Sequence, residues 1–171
     1  MAAVSNSSPL IYLAALGDLE LLPQLFGRIA IPEAVHREVV VAGSGQSGAE
    51  AVARAQHDWL TVESIKDRRR AETLMNSPGL DVGEAEAIIL AQELSHSTII
   101  LDDQSAVTLA RSFGLSVVRT AALYVAAKKE GLIQSVQPKL DALRLEGFWL
   151  KDTDYFTVLA AADEFPIGGN G

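Results

Sequence analysis

The residues able to do chemistry in this chain are oxygen donors. Asn6 and Ser8 follow a short β-compatible run, residues 2–5. Glu38 sits about one turn into the helical pattern that follows Ile31. Glu84 and Glu86 lie in the first turns of another helical pattern, and Asp102 and Asp103 close the β-branched run 98–101. No histidine stands at a comparable position; His36, His57 and His96 are scattered over surface-like contexts. The chain has no cysteine, which removes thiolate metal sites, disulfides and a cysteine nucleophile. A group of carboxylates joined by an amide suits a hard divalent cation, Mg²⁺ or Mn²⁺, and not Zn²⁺. Such an ion relieves carboxylate repulsion, activates water and neutralises charge on a phosphodiester.

For these groups to meet, the fold must bring distant strand ends together. Asn6-Ser7-Ser8-Pro9 reads as a helix start, followed by Leu10, Ile11, Leu13, Ala14 and Leu16 at helical spacing and by Gly17. A second helix is expected from Asp18 through Leu19, Leu22 and Phe26. A strand over 28–31 leads through Pro32 into a helix over 33–41. Beyond the Gly-rich loop 43–48 the pattern predicts a helix over 49–56, a strand over 60–65 and a charged helix over 66–76. Asp81-Val82-Gly83-Glu84 is a capping box, and its helix runs to about Ser95. A strand over 98–101, a helix over 104–113, a strand over 115–118 and helices over 121–130, 135–145 and 154–162 complete the pattern. Residues 165–171 read as a flexible tail. Alternation of strand and helix predicts an α/β fold with a mostly parallel sheet covered by helices on both faces. Ligands in such sheets bind at the carboxyl ends of the strands, where Asn6, Ser8, Asp102 and Asp103 fall.

Four pieces, in order, resemble PIN domains: Asn6-Ser7-Ser8-Pro9-Leu10-Ile11; Ile31-Pro32-Glu33-Ala34-Val35-His36-Arg37-Glu38-Val39; Gly83-Glu84-Ala85-Glu86-Ala87-Ile88; and Leu101-Asp102-Asp103 with Ala110-Arg111 and Gly114-Leu115. The nearest likeness is to a prokaryotic branch of predicted nucleic-acid-binding PIN proteins related to VapC-type toxins. It covers about residues 1–135, with a helical C-terminal extension beyond, and makes 1–164 a single PIN-like domain. It implies a three-layer α/β/α fold and a Mg²⁺- or Mn²⁺-dependent ribonuclease cutting single-stranded RNA, with a small antitoxin covering the groove and a homodimeric assembly. Asn6 falls where active members usually carry the first Asp, and Ser8 on the hydroxyl position of the same motif. Glu38, Glu86 and Asp103 match the remaining acidic positions, with Asp102 as a further metal candidate. Arg111 and Arg119 are candidates for phosphate. Asn6 departs from the pattern, since an amide oxygen ligates a cation without charge. The alternative is a catalytically weakened PIN fold that binds RNA or a protein without cutting; a phosphatase-like metal hydrolase is a third reading.

Taken singly, several of these residues have structural roles open to them. Asn6 and Ser8 can cap a helix, Glu84 completes the capping box, and one of Asp102 and Asp103 can cap the helix that follows. Glu86 has no such role in the sequence and stands beside an apolar face. The length, 171 residues, suits one domain of ordinary size. Fourteen Lys and Arg against 22 Asp and Glu give a net charge of −8, so the bulk charge repels nucleic acid. A bound cation at the acids would reverse that locally; the one basic cluster, Lys66-Asp67-Arg68-Arg69-Arg70, reads first as a solvated helix face. Aromatics make up only 6%, too few for base-stacking platforms. The N-terminus lacks a basic segment before its apolar stretch, and no apolar run approaches a membrane span, so a cytoplasmic protein without membrane contact is expected. The apolar series Ala14, Leu16, Leu19, Leu22 and Leu25 exceeds the evident needs of a small core and marks an expected homodimer face.

Overall fold

A computed structural model describes residues 2–96 and 98–164; the tail expected over 165–171 lies outside them. The chain divides after Arg119 into two compact units. The first carries strands β1 (Ala2–Ser5), β2 (Arg28–Pro32), β3 (Leu60–Glu63), β4 (Thr98–Ile100) and β5 (Ser116–Val118). They form one sheet in the order β3-β2-β1-β4-β5, and every pairing is parallel. From β1 the chain steps outward to β2 and β3, then crosses back to β4 and steps outward to β5. Right-handed crossovers place the helices of these two excursions on opposite faces. The result is the expected three-layer α/β/α fold.

On the way from β1 to β3 lie α1 (Ser7–Ala15), α2 (Leu21–Phe26), α3 (Glu33–His36) and α4 (Ser47–Ala55). The helix expected over 33–41 is regular only to His36; Arg37–Val41 continue as a π-helical turn, with Ala42 N donating to Arg37 O at 2.8 Å. The second helix starts at Leu21 rather than Asp18. Of the surplus apolar residues, Leu19 and Leu22 are buried in the chain's own core. That leaves the expected homodimer face to Ala14, Leu16 and Leu25, all only half-buried.

The return path carries α5 (Arg68–Met75) and α6 (Val82–Glu93), and α7 (Gln104–Ser112) joins β4 to β5. Helix α6 packs on β1, β2 and β4 and between α5 and α7. Every residue from Gly83 to Ala91 is buried, so the helix has no solvent face in its central part. Its small residues (Gly83, Ala85, Ala87 and Ala91) allow that close packing, and Ile88, Ile89 and Leu90 fill the core.

The second unit contains α8 (Thr120–Lys129), α9 (Gln137–Leu145) and α10 (Asp152–Ala161). Tyr124 is its largest fully buried side chain. Glu164 accepts from Val136 N at 2.6 Å and Gln137 N at 2.9 Å at the start of α9, and pairs with Lys128 at 2.9 Å.

Because α6 supports both the sheet and the acids at its start, its core side chains should control stability. Replacing fully buried Ile88 by Ala is expected to lower unfolding free energy by about 2–5 kcal/mol, the usual cost of a large-to-small core change. Urea denaturation followed by far-ultraviolet circular dichroism measures it.

Candidate functional site

Strand order reverses between β1 and β4, the place where parallel sheets form a ligand crevice at their carboxyl edge. Ser5 is in register with Ile100, and Asn6 N donates to Ile100 O at 3.1 Å. The pairing fixes Asn6 beside the segment that continues into Asp102 and Asp103. Asn6 occupies the N-cap position of α1, yet its side chain makes no capping bond. It is 5% exposed, and its Oδ1 has no hydrogen-bond partner in the protein. An unsatisfied buried oxygen is uncommon and costly, which marks it as an atom meant for something else.

Oxygens gather around the start of α6. A Cβ built on Gly83 would stand 3.3 Å from Asn6 Oδ1, 3.4 Å from Asp81 Oδ1 and 3.5 Å from Glu38 Oε2. A side chain at position 83 would crowd Asn6 Oδ1 and border the other two oxygens. Glu38 reaches it from the π-helical turn, a feature often found at functional sites. Ser7 Oγ donates to Glu38 Oε2 at 2.6 Å and ties that carboxylate to α1.

Glu84 supplies the charged floor. The capping box is complete: Glu84 N donates to Asp81 Oδ1 at 2.8 Å, and Asp81 N donates to Glu84 Oε2 at 3.0 Å. Burial raises the Glu84 pKa from 4.5 to about 7; the hydrogen bond from Asp81 N opposes the shift, while the charges of Asp81, Asp103 and Glu38 add to it. Glu84 thus feels three other acids at once. Side chains two residues apart on a helix leave on nearly opposite sides. Glu86, also buried, accordingly faces another neighbour: its Oε2 accepts from Ala34 N at 3.0 Å and fixes the start of α3.

The remaining candidates divide between rim and periphery. Asp103 is exposed and caps α7, accepting from Ala106 N at 3.0 Å through Oδ1. Ser8 Oγ donates to Asp102 Oδ2 at 3.4 Å. Arg119 follows β5 at the carboxyl edge and donates to Gln104 Oε1. Arg111 lies in the last turn of α7. At 1.5 Å per residue, the helix carries it about 10 Å from the rim reached by Gln104, whereas Arg119 directly follows β5. In the basic cluster, Arg68 pairs with Glu33 at 3.4 Å and Arg70 lies over the Phe113 ring.

Two residues of the site escaped the reading of the sequence. Ser7 was hidden beside the better candidates Asn6 and Ser8, and Asp81 was absorbed by its capping role. Among the described residues no group of three His, Cys, Asp or Glu side chains is placed to hold a metal ion by itself. The donor set nevertheless fits a hard cation: it is all oxygen, carries excess negative charge, and includes a buried amide oxygen with nothing to bind. The starts of α1, α6 and α7 converge here, and their backbone dipoles favour anionic groups. A family model described as a PIN domain matches residues 2–164. No curated protein matches the chain.

A raised Glu84 pKa means that the folded state holds its proton more tightly than the unfolded chain. Between about pH 4.5 and pH 7 folding takes up a proton, so the contribution of Glu84 to stability falls as pH rises through that window. In chelator, the melting temperature of the wild type is expected to fall relative to that of Glu84→Gln from pH 4.5 to 7. Parallel melting profiles for the two proteins would contradict the assignment.

Proposed function

This chain belongs to the PIN-domain family, and on that premise we propose that it is a Mg²⁺- or Mn²⁺-dependent ribonuclease acting on single-stranded RNA. The observation that carries the reading is the buried, unpartnered Asn6 Oδ1, set beside Glu38 at Gly83 and next to Glu84, whose pKa burial raises first and the surrounding acids after it. A divalent ion held by Asn6, Glu38, Glu84 and Asp103 would supply water activation and offset the negative charge that develops on phosphorus during in-line attack.

The rest of the work belongs to the chain itself. Ser7 holds the Glu38 carboxylate in place, and Glu86 anchors the start of the helix that leads to it. Arg119, on the β5 side of the crevice, is the candidate phosphate contact, with its guanidinium oriented by Gln104. Ser8 and Asp102 form the adjoining wall. In this reading the protein works in the cytoplasm as a VapC-type toxin, and a small antitoxin covers the crevice. No helix among the described residues is long and apolar enough to cross a membrane. The uncharged Asn6 favours a second reading, a PIN fold that binds RNA without cutting it.

Incubation with labelled single-stranded RNA separates the two. Cleavage is expected with Mn²⁺ and not with chelator, and Glu38→Gln or Asp103→Asn should each lower turnover by about 100-fold or more. RNA retained in a mobility shift but left intact under every metal would favour the second reading. Hydrolysis of a phosphomonoester without action on RNA would replace both.

A further inference from the structure

We propose that Asp81 supplies the negative charge that Asn6 lacks, so that the N-cap of α6 completes the cation site. The inference rests on the metal-dependent reading above and concerns which residue balances the ion. Asn6 Oδ1, Asp81 Oδ1 and Glu38 Oε2 lie within 3.3–3.5 Å of one point, the place a Cβ would take on Gly83. Asn6 Oδ1 is the independent pointer to a ligand there, being buried and without a partner in the protein.

An amide oxygen ligates a hard cation as a neutral donor, so an ion bound beside Asn6 meets one negative charge fewer than beside an aspartate. Asp81 stands at the same point and carries that charge. The helix N-terminus favours a charge at the cap but does not require one. The cap uses one oxygen, Oδ1, to accept from Glu84 N, and Asn or Ser would do the same. The shared point itself lies too close to the Gly83 backbone to hold an ion, but a cation drawn in beside it by the three oxygens would set the Asp81 and Glu38 charges against its own.

Direct Mn²⁺ binding tests this on the full chain, by calorimetry or by electron paramagnetic resonance of free Mn²⁺, without reference to activity. Four proteins are compared: wild type, Asp81→Asn, Asn6→Asp, and the double variant Asn6→Asp/Asp81→Asn. Asp81→Asn keeps the capping acceptor and should fold, with Asp81→Ser as a second cap-preserving variant; circular dichroism melts check both. The expected result is a loss of Mn²⁺ affinity of about 10-fold or more in Asp81→Asn and Asp81→Ser, and its recovery in the double variant, where the carboxylate has moved back to position 6. Wild-type affinity in Asp81→Asn overturns the inference, and so does a double variant no better than Asp81→Asn. A wild type that binds no Mn²⁺ while Asn6→Asp does would mean that Asp81 does not compensate. If no variant binds Mn²⁺, the metal-dependent reading itself falls.

Discussion

Like charges crowded at a half-buried place must be neutralised, and the site is organised around that requirement. Glu38, Asp81 and Asp103 all bear on the buried Glu84 at the carboxyl edge of the sheet. Inside a protein each such repulsion is stronger than in water. The chain answers in two ways. Glu84, the most buried of the four, takes a proton near neutrality. Helix N-termini offer partial positive charge to the rest. Neither device satisfies Asn6 Oδ1, which is buried and has no hydrogen-bond partner in the protein. A divalent cation would answer both problems, because it binds the amide oxygen and opposes the carboxylate charge together.

The tension depends on α6 being buried along most of its length. A helix with a solvent face would let Glu84 swing into water, and its raised pKa would relax. From Gly83 to Ala91 this one has no such face. Its two buried glutamates therefore need partners supplied by other elements. Glu86 finds the Ala34 backbone, and Glu84 finds the backbone of its own capping box among acids. Gly83 is the hinge of this arrangement: the missing side chain leaves the gap into which Asn6 and Glu38 project their oxygens.

The net charge of −8 is consistent with this arrangement. An acidic surface keeps polyanions away except where positive charge is concentrated. A bound cation would do that in the crevice, with Arg119 alongside. The basic residues before and within α5 are partly spent on local contacts, Arg68 with Glu33 and Arg70 with Phe113. A phosphate backbone would thus be drawn to the crevice more than to a broad surface, which suits a chain with few aromatics to stack on bases.

The sequence by itself determined the elements and their order. Alternating strand and helix patterns, the glycine stops and the capping box at Asp81 were local signals, and local signals survive folding because short-range sterics and hydrogen bonds dominate them. The pattern of acids after strands was legible for the same reason, since the carboxyl edge follows from the parallel sheet. Tertiary structure decided what depended on direction and distance. The π-helical turn at Glu38 left no periodic trace. The choice between Glu84 and Glu86 turned on which side of a buried helix faces Asp103 and which faces α3. Asp81 looked like a cap and nothing more until Asn6 and Glu38 arrived beside it from segments far away in the chain. A one-dimensional pattern states which residues share a helix; only packing states what lies across from each of them.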